Sequence, residues 1–133
     1  MSAAPTSTDE GTDVRKCVYV VDDDPLILDV ICSKLVAAGY KVEEYSDAAA
    51  FLEAAPTLAH GCIVLDLDMP GMNGLEVQEM LVRMGLTFCI IFYSGRGSVR
   101  HAVAGMRAGA ADFLQKSSNI QPLIAAIEKG FRR

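Results

Sequence analysis

The chain is 133 residues long, 51% hydrophobic and carries a net charge of −5, which supplies apolar material for one core in one domain. An acidic balance without clustered Lys and Arg lacks the surface that a phosphate backbone draws on, so direct nucleic-acid binding by this chain is not expected. No apolar run reaches the length of a membrane span and no charged-then-apolar leader opens the chain, which predicts a soluble, cytoplasmic protein with no membrane association.

Residues 1–14 read as a polar tail without periodicity, and 15–133 as the folded domain. The first strand spans 17–21 and runs into three acids, Asp22, Asp23 and Asp24. Asp24 followed by Pro25 predicts a helix N-cap and first helical position, with Ile27, Ile31, Leu35 and Ala38 on one stripe and Gly39 as the stop. A strand at 41–45 precedes a helix capped at Ser46 or Asp47 and ended by Pro56. The apolar run 62–65 then ends on Asp66, and the turn formers Pro70, Gly71, Asn73 and Gly74 follow at once. A helix presenting Val77, Met80, Leu81 and Met84 on one face leads to a strand at 88–93, which closes on Ser94-Gly95-Arg96-Gly97. Ser98 is the expected cap of a helix facing inward with Val99, Ala102, Val103 and Met106, closed by Gly109. A strand at 111–115 ends on Lys116, and a last helix from about 118 to 131 buries Ile120, Leu123, Ile124, Ile127 and Phe131. The four cysteines, Cys17, Cys32, Cys62 and Cys89, have no CxxC spacing and are expected as reduced core residues.

Five strand–helix units with near-continuous apolar strands predict the α/β class, with a parallel sheet covered on both faces. Right-handed crossovers bring all the strand ends to one rim. That rim carries Asp22 and Asp23 from the first strand, Asp66 from the third, Ser94 from the fourth and Lys116 from the fifth. Three clustered carboxylates repel one another unless a cation sits among them. Oxygen ligands point to Mg²⁺, and the lack of Cys or His on the rim points away from zinc. A carboxylate beside Mg²⁺, a lysine and a hydroxyl suits attack on a phosphoryl group, with Asp66 as nucleophile and Lys116 and the metal stabilising charge on the phosphoryl oxygens.

Four stretches now carry a family resemblance. They are Val20-Val21-Asp22-Asp23-Asp24-Pro25, the run from Leu65 to Gly74, Ser94-Gly95, and the run from Gly109 to Lys116. In order and spacing, residues 16–131 resemble the receiver domain of two-component response regulators, and most of all receivers of nitrogen-fixation and quorum-type transcriptional regulators. The resemblance implies a flavodoxin-like (βα)5 sandwich with strand order 2-1-3-4-5. It implies Mg²⁺-dependent phosphorylation of Asp66 by a sensor histidine kinase or a phosphotransfer protein. Asp22 and Asp23 would hold the metal with Asp66, Asp23 touching it directly, and the Asp68 backbone carbonyl would be a further ligand. Ser94 and Lys116 would each bond a phosphoryl oxygen, and Phe113 falls at the position of a mobile switch aromatic. The output would be a changed helix 4–strand 5–helix 5 face that meets a second copy or a downstream effector. Catalysis would be limited to the chain's own phosphorylation and dephosphorylation.

Plainer roles stand beside these. Asp24 reads as a cap, Ser94 alone would pass for a turn residue, Phe113 for core, and His60 and His101 for solvated side chains. Arg96, Arg100, His101 and Arg107 could line a basic surface along the fourth helix. Two residues depart from the family pattern. Ser117 stands where a proline usually follows the lysine, which predicts a trans Lys116–Ser117 bond and a displaced lysine. The Asp68 side chain adds a fourth carboxylate. Two other functions fit part of the pattern: a pseudo-receiver that binds without being phosphorylated, and a haloacid-dehalogenase-type phosphohydrolase using Asp66 and Asp68. Pro70 and the acids that precede the motif count against the phosphohydrolase.

Overall fold

A computed structural model describes residues 16–95 and 99–132. The elements are β1 (Cys17–Val21), α1 (Pro25–Ala37), β2 (Lys41–Tyr45), α2 (Ala48–Ala54), β3 (Cys62–Leu65), α3 (Gly74–Arg83), β4 (Cys89–Ser94), α4 (Val99–Arg107), β5 (Asp112–Gln115) and α5 (Gln121–Phe131). All strand pairs are parallel and the sheet order is β2-β1-β3-β4-β5. This is the flavodoxin-like arrangement that the family resemblance implied. The expected tail at 1–14, the Arg96-Gly97 turn and the Ser98 cap lie outside the described residues.

The apolar strands are buried on both faces because alternate side chains serve two cores. Val18, Val20, Cys62, Val64, Ile91 and Tyr93 pack with Leu28, Ile31 and Leu35 of α1 and Leu123 and Ile127 of α5. Tyr19, Val21, Ile63, Leu65, Ile90 and Phe92 point the other way, onto Phe51 of α2 and Val77 and Leu81 of α3. Each such side chain contributes about 1.5–3 kcal/mol on burial. Among the described residues the cysteines form no disulfide, and Cys32 and Cys62 are buried.

Local signals set the helix starts. The Asp24 carboxylate accepts from the N–H groups of Leu26 and Ile27 at 3.0 and 3.4 Å, and Asp47 caps α2 through Ala50 N–H at 2.7 Å. Asn73 and Glu76 form a reciprocal capping box at α3, with both bonds 2.9 Å. Pro56 does not end α2 abruptly, since the chain tightens into a 3-10 turn over Ala55–Thr57.

The faces of α3 and α4 differ from the periodicity. On α3 the buried set is Gly74, Val77, Gln78 and Leu81, while Met84 is exposed. On α4, Val103 and Met106 are exposed and Gly105 is buried. A Cβ on Gly105 would lie 2.5 Å from the Phe92 ring, so the bare glycine is what lets α4 approach the sheet. Gln78 then donates to the Gly105 carbonyl at 3.0 Å, a buried polar tie between the two helices.

Candidate functional site

Backbone bonds align the strand ends into one rim. Asp22 N–H donates to Tyr45 O, Asp66 N–H to Val21 O and Lys116 N–H to Ser94 O, at 3.1, 3.0 and 2.7 Å. The loop after β3 folds back tightly: Gly74 N–H bonds Leu67 O at 3.1 Å, and a Cβ on Gly74 would stand 2.6 Å from the Asp66 carbonyl. Only glycine permits that approach. The rim encloses an open cleft of about 360 Å³ lined by Asp22, Asp23, Asp24, Asp66, Asp68, Gly95 and Lys116.

Asp22 and Asp66 are 2% and 5% exposed, whereas Asp23 and Asp68 are exposed. Asp22 Oδ1 accepts from Asp24 N–H at 3.0 Å, and its Oδ2 pairs with Lys116 Nζ at 2.6 Å. Asp66 Oδ1 accepts from Asp68 N–H at 3.1 Å, and its Oδ2 lies 3.5 Å from Lys116 Nζ. Burial, followed by the nearby Asp22 charge, pushes the Asp66 carboxyl up to about 6, although the Asp68 N–H and Lys116 pull the other way. Burial also works to lower the Lys116 pKa, but its bonds and attraction to Asp22 and Asp66 outweigh this and hold it above its ordinary value.

One carboxylate oxygen each from Asp22, Asp23 and Asp66 lies within 4.8 Å of the others. Three acids against one lysine leave two negative charges at that point, and every donor is oxygen. This donor set fits a hard divalent cation such as Mg²⁺. Ser94 is fully buried, and its Oγ donates to Asp68 Oδ2 at 3.2 Å. The Asp68 side chain therefore faces into the cleft, and the hydroxyl expected to meet a phosphoryl group is held by a carboxylate. Phe113 is partly buried against the core, its ring centre 6.3 Å from that of Phe92.

Asp22, Asp23, Asp66 and Lys116 thus meet at one cleft, and Ser94 is buried behind its lip against Asp68. Asp24 serves as the cap, and exposed His60 meets the Thr87 carbonyl through Nδ1 at 2.9 Å, far along the sheet. Arg100, His101 and Arg107 of α4 are exposed. There is no cis peptide bond among the described residues, Lys116–Ser117 included. The lysine nevertheless reaches both buried carboxylates. The residue that sequence reasoning missed is Tyr93, whose hydroxyl meets the Ser117 backbone. Its strand position marks it as core, and the available signal was that a buried tyrosine hydroxyl requires a partner.

Comparison with known proteins identifies the family to which this fold belongs. Residues 18–128 match the family described as the response regulator receiver domain. The transcriptional regulatory protein FixJ of Bradyrhizobium diazoefficiens is 40% identical over 116 residues, covering 87% of this chain and 57% of that protein. The crystal structure of FixJ-N superposes with a TM-score of 0.83 at 34% identity, covering 89% of this chain and 94% of the other. TrrA of Thermotoga maritima, solved in complex with Mg(2+)-BeF, gives a TM-score of 0.78 at 26% identity over 86% of this chain and 98% of TrrA. The chain belongs to the response regulator receiver domain family. It spans about half the length of the curated relatives it matches, 53–57% of the first three.

Proposed function

We propose that this chain is a phosphorylatable receiver in which Asp66 takes a phosphoryl group from a phosphohistidine of a sensor histidine kinase or a phosphotransfer protein. The observation that carries this reading is the Asp66 carboxylate itself. It is buried at the end of β3, with Oδ1 held by the Asp68 N–H and Oδ2 turned towards Lys116. An Asp66 oxygen attacks phosphorus, the new O–P bond forms as the donor's P–N bond breaks, and an acyl phosphate results. Asp22, Asp23 and Asp66, with the Asp68 backbone carbonyl, would hold Mg²⁺, which when bound neutralises charge on the phosphoryl oxygens. Asp23 is the carboxylate proposed to touch the ion directly, because both Asp22 oxygens are engaged by Asp24 N–H and Lys116.

Lys116 already sits between the two buried acids, so its ammonium meets a phosphoryl oxygen with little rearrangement. The phosphoryl group takes the Ser94 hydroxyl from Asp68 and repels the Asp68 carboxylate. Ser94 is the last residue of β4, and Phe113 lies in the neighbouring β5. The α4–β5–α5 face then shifts population and gains or loses a second copy or a downstream effector. No described helix is long and apolar enough to cross a membrane, and a cytoplasmic location is proposed. The chain's own chemistry is confined to forming and losing its aspartyl phosphate. With Asp68 tied to Ser94 and the family match over residues 18–128, neither the phosphohydrolase nor the pseudo-receiver is favoured.

The test is incubation with a small phosphodonor and Mg²⁺ followed by intact mass. The parent gains one phosphoryl group and Asp66→Asn gains none. A parent that gains none, beside a control receiver that does, transfers the assignment to the non-phosphorylated pseudo-receiver.

A further inference from the structure

Ser117 follows Lys116 and brings a backbone N–H that a proline would lack. One side chain serves both backbone polar groups of that residue. The Tyr93 hydroxyl accepts from Ser117 N–H at 3.2 Å and donates to Ser117 C=O at 3.3 Å. The Tyr93 ring is only 5% exposed and packs in the core shared with α1 and α5, so the hydroxyl is aimed by the core and not by the loop. The next residue of β4, Ser94, takes the Lys116 N–H on its carbonyl at 2.7 Å. Two consecutive β4 residues therefore hold the backbone on either side of the Lys116 Cα. From that anchored Cα the ammonium reaches Asp22 at 2.6 Å and Asp66 at 3.5 Å.

We propose that Tyr93 is the positioning residue for Lys116, bracketing the Ser117 backbone so that a loop without a rigid ring still delivers the ammonium to the Asp22–Asp66 pair. Its effect on phosphorylation rests on the function proposed above, while its effect on the lysine does not. The bland competitor is a core tyrosine whose hydroxyl merely finds a partner. Such a residue alters stability but has no coupling to Lys116.

Tyr93→Phe keeps the ring and removes the bracket. The initial rate of Asp66 phosphorylation by acetyl phosphate and Mg²⁺ is expected to fall roughly three- to tenfold. In a Lys116→Ala background the same substitution is expected to change the remaining rate by less than about twofold, because the group it positions is gone. An equal loss in both backgrounds, or none in the parent, overturns the proposal. The ¹⁵N resonance of the Lys116 ammonium provides a readout independent of phosphorylation. It is expected as a distinct signal in the parent that merges with the solvent-averaged lysines in Tyr93→Phe. Should the parent accept no phosphoryl group, the function proposed above fails while this signal still decides the role of Tyr93. A resonance unchanged by Tyr93→Phe refutes it.

Discussion

The two sides of the cleft use the same functional group in different physical settings. On the inner side, Asp22 and Asp66 are almost sealed from water and share one lysine. On the outer lip, Asp23 and Asp68 are exposed, where charge is screened, and Asp68 is held there by the Ser94 hydroxyl. The inner side stores electrostatic tension, visible in the raised Asp66 pKa, and the lip supplies carboxylates open to solvent. In the function proposed above, the inner side is the acceptor poised for a cation, and the contact between Ser94 and Asp68 is what yields when the acceptor changes.

Removing the shared cation is the largest way to break this contrast. Lys116→Met leaves two buried carboxylates facing each other, and a loss of about 3 kcal/mol is expected at pH 8 without divalent ions. Without the lysine the folded-state Asp66 pKa rises further above its unfolded value. The stability tied to that proton is present at low pH and lost as pH rises through the folded pKa. Urea midpoints should therefore converge with the parent near pH 4, and a deficit equal at pH 4 and pH 8 would falsify the inner-side account.

Asp66→Asn should act in the opposite sense. The folded pKa of about 6 stands above the ordinary carboxylate value of 3.8, so the parent is stabilised by this group below about pH 4 and loses that contribution as pH rises through 6. The asparagine keeps an acceptor for Asp68 N–H but carries no charge. It is expected to exceed the parent by on the order of 2 kcal/mol at pH 7.5 without divalent ions, and to show no advantage near pH 4. Mg²⁺ should narrow the gap at pH 7.5 by stabilising the parent more. Thermal unfolding with and without Mg²⁺ checks both.

The smallest effect on stability belongs to the lip. In Asp68→Asn the melting midpoint should move by no more than about 3 °C. The phosphoryl lifetime and the Mg²⁺ affinity are the sensitive readouts, because the asparagine can still hold Ser94 but no longer repels a phosphoryl group. Asp68→Ala additionally frees the Ser94 hydroxyl and should differ from Asn in the rate of phosphorylation. Identical kinetics in the parent and both variants would mean that the contact between Ser94 and Asp68 has no part in the switch.

The two sides were also unequally legible. Asp22, Asp66, Ser94 and Lys116 follow from strand ends, because apolar runs end where the backbone leaves the sheet and parallel crossovers send all those ends one way. The direction of the Asp68 side chain was not legible, since it depends on a contact with Ser94, 26 residues away. The inner face of α4 failed for a related reason. Periodicity nominated Val103 and Met106, yet a helix meets a sheet where backbones can approach, and the Phe92 ring demanded the bare Gly105. Gln78 escaped because a polar residue is buried only when a partner is present, here the Gly105 carbonyl.

Sequence alone determined what is local or periodic: the α/β order, the cap at Asp24, a second cap narrowed to Ser46 or Asp47, and the acids and lysine that end their strands. Tertiary structure decided what depends on distance between strands. It put Lys116 between Asp22 and Asp66, turned Asp68 onto Ser94, and supplied Tyr93 as partner to Ser117. The reason is that a strand end specifies which side chain reaches the rim. Burial, charge pairing and packing across strands specify what that side chain meets there.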